Sequence, residues 1–303
     1  MAKIYELIII GAGPAGVTAA VYAARKRMDY TVLTVDIGGQ AALSSDIENY
    51  TGYQFITGVE LTAKFEEHIK KYGIDVRENE AVEEFERENN IIRVRTAKGT
   101  YTAKAAIIAS GKRSRELGAP GEKEFKNKGV TYCVTCDGPL FAGKEVAIVG
   151  GGNSALDAAL QLTKIAKSIH MINITPELGG DTVMRKKVTE SGNVTIMNNS
   201  QVTAVLGDAF VSGIKVKDSS GEKEIPVQGI FVEIGLIPNS DFIKGIEKNK
   251  QGEIKVNCHN ETSIPGVFAA GDVTDVPEKQ IIIAAGEGAK AALTVFRYLA
   301  KQG

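Results

Sequence analysis

Cysteine is scarce: Cys133, Cys136 and Cys258 are the only three in 303 residues. Three thiols cannot staple a chain of this length, so a secreted disulfide framework is excluded. Cys133 and Cys136 are spaced C-x-x-C, no second such pair exists, and His259 beside Cys258 is the one histidine near a cysteine. A structural zinc site needs four ligands, so no metal centre is expected, and Cys258 reads as a buried, inert thiol. Long apolar runs are also missing. Leu7–Ile10 and Ile281–Ala285 are among the longest, far too short to span a bilayer. The first residues, Met-Ala-Lys-Ile-Tyr-Glu, lead straight into an apolar strand without a cleavable leader, so a cytoplasmic location is expected. Neither sign of charge is in excess: 36 basic against 37 acidic residues leave −1, with no lysine or arginine stripe. Neither nucleic acid nor a membrane is therefore an expected partner.

Apolar residues make up 43% of the chain and charged residues 24%, the balance of a globular protein with real cores. The length suggests two domains. The 33 glycines fall in short motifs and not in one biased tract, the pattern of backbone brought close to ligands.

Periodicity places the motifs. A strand over Glu6–Ile10 runs into Gly11-Ala-Gly-Pro-Ala-Gly16, then a helix over Val17–Ala24 and a strand over Thr31–Val35 that ends at Asp36. Strand-like stretches follow at Val82–Arg87, Ile91–Thr96, Tyr101–Ala103 and Ala105–Ala109, the last closed by Ser110-Gly111. After a polar linker, Lys112–Lys128, the opening pattern recurs. Glu145–Val149 is a strand, Gly150–Ser154 a turn, Ala155–Ile165 a helix and Ser168–Ile174 a strand, 139 residues after Gly11 when counted to Gly150. A further strand-like stretch closes at Gly229–Gly235. The last part carries a strand at Val267–Asp272 and a helix over Gln280–Leu299 with an apolar stripe through Ile283, Ala284, Leu293 and Phe296. The expected fold is α/β, with two Rossmann-like dinucleotide-binding domains.

Each part of Gly11-x-Gly13-x-x-Gly16 has a physical task. Gly11 permits the tight turn, Gly13 lets a pyrophosphate touch the backbone, and Gly16 lets helix pack on strand. The helix N-terminus offers free N–H groups and a partial positive charge, and Asp36 can accept from ribose hydroxyls. Cys133-Val-Thr-Cys136 can cycle between dithiol and disulfide, one thiolate attacking and the other resolving the mixed disulfide. Asp137 follows directly and suits general acid–base work.

Gly11-Ala-Gly-Pro-Ala-Gly16, Gly38-Gly-Gln40, Glu48-Asn49, Ala109-Ser-Gly111, Cys133-Val-Thr-Cys-Asp137, Gly271-Asp-Val273 and Lys279-Gln-Ile281 together resemble the low-molecular-weight thioredoxin reductases, in order and over nearly the whole chain. The resemblance implies an FAD domain from 1–113 and 243–303, with a central NAD(P)H-type domain, 114–242, that carries the cysteine pair. It assigns cofactor contacts to Gly11, Gly13, Pro14, Ala15, Asp36, Gly39, Gln40, Asn49, Ala109, Gly111, Gly271, Asp272, Lys279, Gln280 and Ile281. It makes Cys136 the thiol beside the flavin, Cys133 the one that attacks the protein substrate, and Asp137 the proton carrier. Thioredoxin or a thioredoxin-like protein is the implied substrate, and a homodimer the implied assembly.

One part of the family pattern is absent. Gly150-x-Gly152-x-x-Ala155 keeps the pyrophosphate loop, but Asn173-Ile-Thr-Pro-Glu-Leu178 has none of the basic residues that clamp the NADPH 2′-phosphate. Arg185, Lys186 and Lys187 come too late to match. The pattern is most similar to the ferredoxin-dependent flavin thioredoxin reductases, so reduced ferredoxin is the expected donor. The alternatives are NADH held by Glu177 or Asn173, an NADPH-dependent reductase, and a flavin dithiol oxidase that hands electrons to oxygen.

Overall fold

The structure, a computed structural model, describes residues 3–43, 47 and 49–302 and, of residues 43, 135 and 136, the backbone alone. The chain forms two units, Met1–Arg113 with Ile237–Gly303, and Ser114–Leu236.

The first unit opens β1 (Ile4–Ala12), α1 (Pro14–Arg25), β2 (Tyr30–Ile37), α2 (Gly58–Tyr72) and β3 (Val76–Arg77), and continues with β4 (Val82–Glu88), β5 (Ile91–Thr96) and β6 (Gly99–Ile108). The chain leaves it through β7 (Lys112–Ser114). The second unit holds β8 (Val130–Thr131), α3 (Val134–Asp137), β9 (Glu145–Val149), α4 (Asn153–Leu162), β10 (Ser168–Ile172), α5 (Thr182–Thr189) and β11 (Val194–Met197). It ends with β12 (Gln201–Gly207), β13 (Val211–Asp218), β14 (Gly221–Pro226) and β15 (Gly229–Val232). The chain returns through β16 (Leu236–Pro238) to β17 (Val267–Ala269) and α6 (Ile281–Ala300).

In the first unit the strand order is β3-β2-β1-β6-β5-β4, with β17 also paired to β6. The strands β3, β2, β1, β6 and β17 run parallel, and β4 and β5 add an antiparallel edge. Side chains of β1 alternate between two cores, as a sheet covered on both faces requires. Leu7 and Ile9 pack with α1, α2 and α6 on one side, and Ile8 and Ile10 pack with β4 and β5 residues on the other. Tyr101–Ala103 and Ala105–Ala109, read as two strands, are one. Lys104 is merely an outward residue where β6 changes partner, from β5 at Gly99–Ala103 to β17 at Ala106–Ile108. A capping box between Thr57 and Glu60 starts α2, and Gly73 at φ 59° ends it.

Three expectations need correction. The return to the first unit comes at 237 and not 243, because Asn239 exchanges hydrogen bonds with Ser110 and Gly111, and Ser240 Oγ donates to the Gly252 carbonyl at 2.8 Å. The buried face of α6 is mostly small residues, Ala284, Ala285, Gly288, Ala291 and Ala292, with Val295 beyond them, so that it can approach α1 closely. Phe296 is exposed instead and lies under Lys26. Cys258 is exposed as well. It sits in a turn organised by Asn257 Oδ1, which accepts from the His259 and Glu261 amides, and it is Asn260 that enters the core.

The second unit repeats the plan: a parallel sheet ordered β11-β10-β9-β15-β8, beside an antiparallel meander β12-β13-β14. No helix among the described residues is long and apolar enough to cross a membrane.

Glu233 follows β15 directly. Burial, then the Asp157 carboxylate, push its carboxyl up to about 7 from an ordinary 4.5. Between those values the unfolded chain has released this proton and the folded chain still holds it, so stability falls as pH rises through the window. Glu233→Gln should flatten that fall in urea-unfolding midpoints taken from about pH 5 to 8. A variant whose midpoint declines as steeply as the parent's would place the slope on another group.

Candidate active site

The residues of the first glycine loop divide by what the fold demands of them. A Cβ on Gly11, at φ 103°, would lie 2.3 Å from the Ala109 carbonyl oxygen, and one on Gly16 would lie 1.9 Å from that of Gly11. Packing alone requires glycine at both. Gly13 has an ordinary φ of −71° and open space around it, with nothing nearer to an added Cβ than the Gly38 carbonyl at 3.9 Å. The fold does not need glycine there, but a phosphate resting on the backbone does. Among the described residues no side chain caps α1, so its first N–H groups are left for an anion. A dinucleotide pyrophosphate fits this cradle.

Two other expected positions lie against the loop. Gly39 approaches Gly13, and a Cβ on Gly271 would meet that of Ala15 at 3.0 Å. Asn49 Nδ2 donates to Gln280 Oε1 at 2.9 Å, at the N-cap of α6, and Ile281 is that helix's first residue. Gln40 Nε2 donates to the Lys112 carbonyl at 2.9 Å. Pro14 is the first residue of α1, Gly111 has φ 63°, and Asp36 stands exposed at the end of β2. Asp272 is half-buried, and burial raises its carboxyl above the ordinary value although Lys279 and Lys112 pull it down. Glu48 lies outside the described residues. Glu253, which binds both Lys112 and Lys279, was not found from sequence, since no motif links it to either.

The second loop has the same division of labour. A Cβ on Gly150, at φ 141°, would lie 2.2 Å from the Glu233 carbonyl oxygen, and one on Gly151 would strike Asn173 Oδ1 at 2.3 Å. Gly152 has nothing within 4 Å and an ordinary φ of −93°. It is the counterpart of Gly13, and α4 behind it is likewise uncapped by any described side chain.

At the end of β10 the structure separates the two candidates for a ribose. Asn173 is buried and spent: its Nδ2 donates to the Thr175 carbonyl and Asn198 Oδ1, and its Oδ1 accepts from Thr175 N and Oγ1. Glu177 has a side chain 86% exposed. Arg185, set aside as too distant in sequence, folds back to this loop. Its Nη1 donates to the Leu178 carbonyl at 3.0 Å and stands 4.0 Å from Glu177 Oε2. It balances Glu177 and is tethered, so it is no free phosphate clamp.

The redox turn also lies in the second unit. Cys133 is half-buried and disulfide-bonded; the Cys136 side chain falls outside the described atoms. Thr131, buried at the end of β8, ties the turn together. Its hydroxyl donates to Asp137 Oδ2 in a short bond, and its Oγ1 accepts from the Cys133 amide at 3.2 Å. Tyr132 Oη donates to Glu122 Oε1 at 2.8 Å, and Glu122 also takes the amides of Leu117 and Gly118. Thr131 was missed because a lone threonine two residues before a cysteine carries no local signal.

The family model for pyridine nucleotide-disulphide oxidoreductases matches residues 5–288. A Pseudomonas putida alkyl hydroperoxide reductase component is 44% identical over 302 residues, covering 97% of this chain and 58% of that protein. The NADH dehydrogenase of Bacillus subtilis strain 168 is 42% identical over 299 residues, again 97% of this chain and 58% of that one. The chain therefore spans less than two thirds of these relatives. Among solved structures, thioredoxin reductase from T. acidophilum superposes with a TM-score of 0.79 at 38% identity, covering 99% of this chain and 100% of that one. A ferredoxin-flavin thioredoxin reductase from Clostridium acetobutylicum gives 0.56 at 31%, with the same coverage. A family match over most of the chain and full-length likeness to thioredoxin reductases agree with the two glycine loops and the cysteine turn. The chain belongs to the pyridine nucleotide-disulphide oxidoreductases, as an FAD flavoprotein of thioredoxin-reductase type.

Proposed function

We propose that the chain takes electrons from NADH and delivers them through FAD to the disulfide of Cys133 and Cys136, and from there to a disulfide on a thioredoxin-like protein or domain. The observation that carries this is Gly152. Packing accounts for glycine at 150 and 151 but leaves 152 unexplained, whereas a nucleotide pyrophosphate on the uncapped α4 needs it. That favours a working nucleotide site over an inherited loop, and so moves NADH ahead of ferredoxin as donor. An NADH dehydrogenase among the relatives supports the same choice. NADPH fits poorly, because Arg185, the cation that reaches the loop, is held by Leu178 and Glu177. Glu177, with its side chain 86% exposed, still has carboxylate lone pairs to accept ribose hydroxyls.

FAD, when bound, supplies the two-electron exchange between nucleotide and disulfide. The rest falls to the chain's own groups. The reduced Cys133 thiolate attacks the partner disulfide and displaces one partner thiolate; Cys136 then attacks Cys133, restoring the internal disulfide and releasing the partner as a dithiol. Asp137 carries the proton that the departing thiolate takes up, and Thr131 holds that carboxylate while fixing the Cys133 backbone.

A second reading, with reduced ferredoxin as donor, rests on the missing phosphate clamp and the likeness to the Clostridium acetobutylicum enzyme. Anaerobic flavin reduction followed at its visible band decides between them. NADH should bleach the flavin with kcat/KM at least about tenfold above NADPH, and Glu177→Ala should raise its KM about tenfold, the value of one hydrogen bond to a charged group. Bleaching by reduced ferredoxin with NADH inert would give the donor role to ferredoxin.

The cysteine assignment separates two half-reactions. Cys133→Ser and Cys136→Ser should each keep FAD and its reduction by NADH yet lose transfer to a thioredoxin disulfide. Transfer at the parent's rate by either variant would remove the pair from the route. Asp137→Asn should slow transfer by about 10²–10⁴-fold.

Thr131→Val tests the proton carrier from one step away. The hydroxyl that holds the Asp137 carboxylate is lost, so transfer to the thioredoxin disulfide should slow about tenfold. NADH-to-flavin reduction should be untouched. Thr131→Val combined with Asp137→Asn should transfer no more slowly than Asp137→Asn alone, and a further loss in the double variant would make Thr131 a packing residue only.

A further inference from the structure

A charge cluster in the first unit joins residues that no motif connects. The Glu253 carboxylate is 13% exposed, and its Oε1 takes Lys112 Nζ at 2.6 Å and Lys279 Nζ at 3.2 Å. Its Oε2 accepts from Asn249 Nδ2 at 2.5 Å, and Lys279 Nζ also donates to the Thr274 carbonyl. Burial pushes the Glu253 carboxyl up, but Lys112, Asn249 and Lys279 outweigh it and hold it below its ordinary value. Two largely buried ammonium groups thus share one carboxylate, so Glu253 alone does not balance them in this poorly solvated place.

The neighbourhood says what that charge faces. The other carboxylate that feels both lysines is Asp272, which accepts no hydrogen bond among the described residues. Gln40 Nε2 rests on the Lys112 carbonyl, and Gly271, next to Asp272, packs on Ala15 of the glycine loop. Oxidised flavin is neutral in its ring system and two-electron reduction leaves it anionic at neutral pH, so a fixed cation nearby discriminates between the two forms. A mobile surface lysine would be screened by water. A pair clamped by Glu253 is not.

We propose that Lys112, clamped together with Lys279 by Glu253, is a positioning and tuning element of the flavin site that makes it bind reduced FAD more tightly than oxidised FAD. This rests on the reading that Gln40, Asp272 and Lys279 border the flavin.

The test is the midpoint potential of the bound flavin, measured on the holoprotein by equilibration with a reference dye. Lys112→Met should lower the preference for reduced FAD about tenfold, a shift of about 30 mV to more negative potential for two electrons. Lys112→Arg keeps the charge and should stay near the parent. Glu253→Gln removes the shared anion and should move the potential the opposite way. Opposite signs mark electrostatics, since packing damage would push both variants in one direction. An unmoved potential in Lys112→Met, or a shift of the same sign in both variants, overturns the proposal. If Lys112→Met loses its flavin, Lys279→Met and Glu253→Gln carry the same readout. Asp272→Ala isolates the underlying reading: FAD retention equal to the parent's would show that the flavin lies elsewhere, whereas weakened retention with unmoved potentials would defeat the tuning alone.

Discussion

A Cβ on Gly16 would sit 1.9 Å from the Gly11 carbonyl oxygen, and one on Gly288 would sit 2.0 Å from that of Ala15. At both points backbone rests on backbone, and no side chain of any size can be interposed. The turn after β1, the start of α1 and the middle of α6 are locked together in this way, which holds the N-terminus of α1 uncapped and in register with Gly39 and Gly271. Much of what the first unit offers a ligand follows from that lock. Free amides point out of the loop, Asp272 is brought to its rim, and α6 begins beside it with Gln280 and Ile281.

The second unit repeats the construction with one relaxation. Ala155 replaces the third glycine, and its Cβ would stand 3.1 Å from one placed on Gly150. What differs most is the polar furniture. In the first unit Thr34 Oγ1 accepts from the Ala12 amide and donates to the Asp36 carbonyl, leaving the Asp36 carboxylate exposed. In the second, Asn173 binds Thr175 and Asn198 and packs against Gly151, so the group exposed at the strand end is Glu177, with Arg185 beside it. The same backbone plan thus presents two different acidic rims.

Buried polar groups do the remaining ordering, and they do it in sets. Glu122 takes three donors below the redox turn, Thr131 joins Asp137 to Cys133, and Glu253 gathers Lys112, Lys279 and Asn249. A half-satisfied set of this kind would cost more than an apolar one. Each therefore specifies one arrangement of the loops that carry it.

The two βαβ openings, their glycine loops, the acid at the end of β2 and the C-x-x-C-D turn were legible in the sequence because each is local. A positive φ, a helix start or a thiol pair is set by residues a few positions apart. Pairings between distant residues were not legible. Asn49 meets Gln280 across 231 positions and Lys112 meets Glu253 across 141, and only the folded sheet brings them within hydrogen-bond range. Arg185 reaches Glu177 because Asn153 Oδ1 accepts the Asp181 amide and sets the start of α5 beside the second glycine loop, which spacing alone could not say. Phe296 and Cys258 were misread for the opposite reason. Hydrophobicity suggested burial, but α6 meets its neighbours largely through small residues and leaves Phe296 outside, and the turn at 257–260 sends Asn260 inward in place of the thiol. Sequence determined which backbone shapes form; the tertiary structure decided which side chains share a place, because that depends on distances no linear spacing contains.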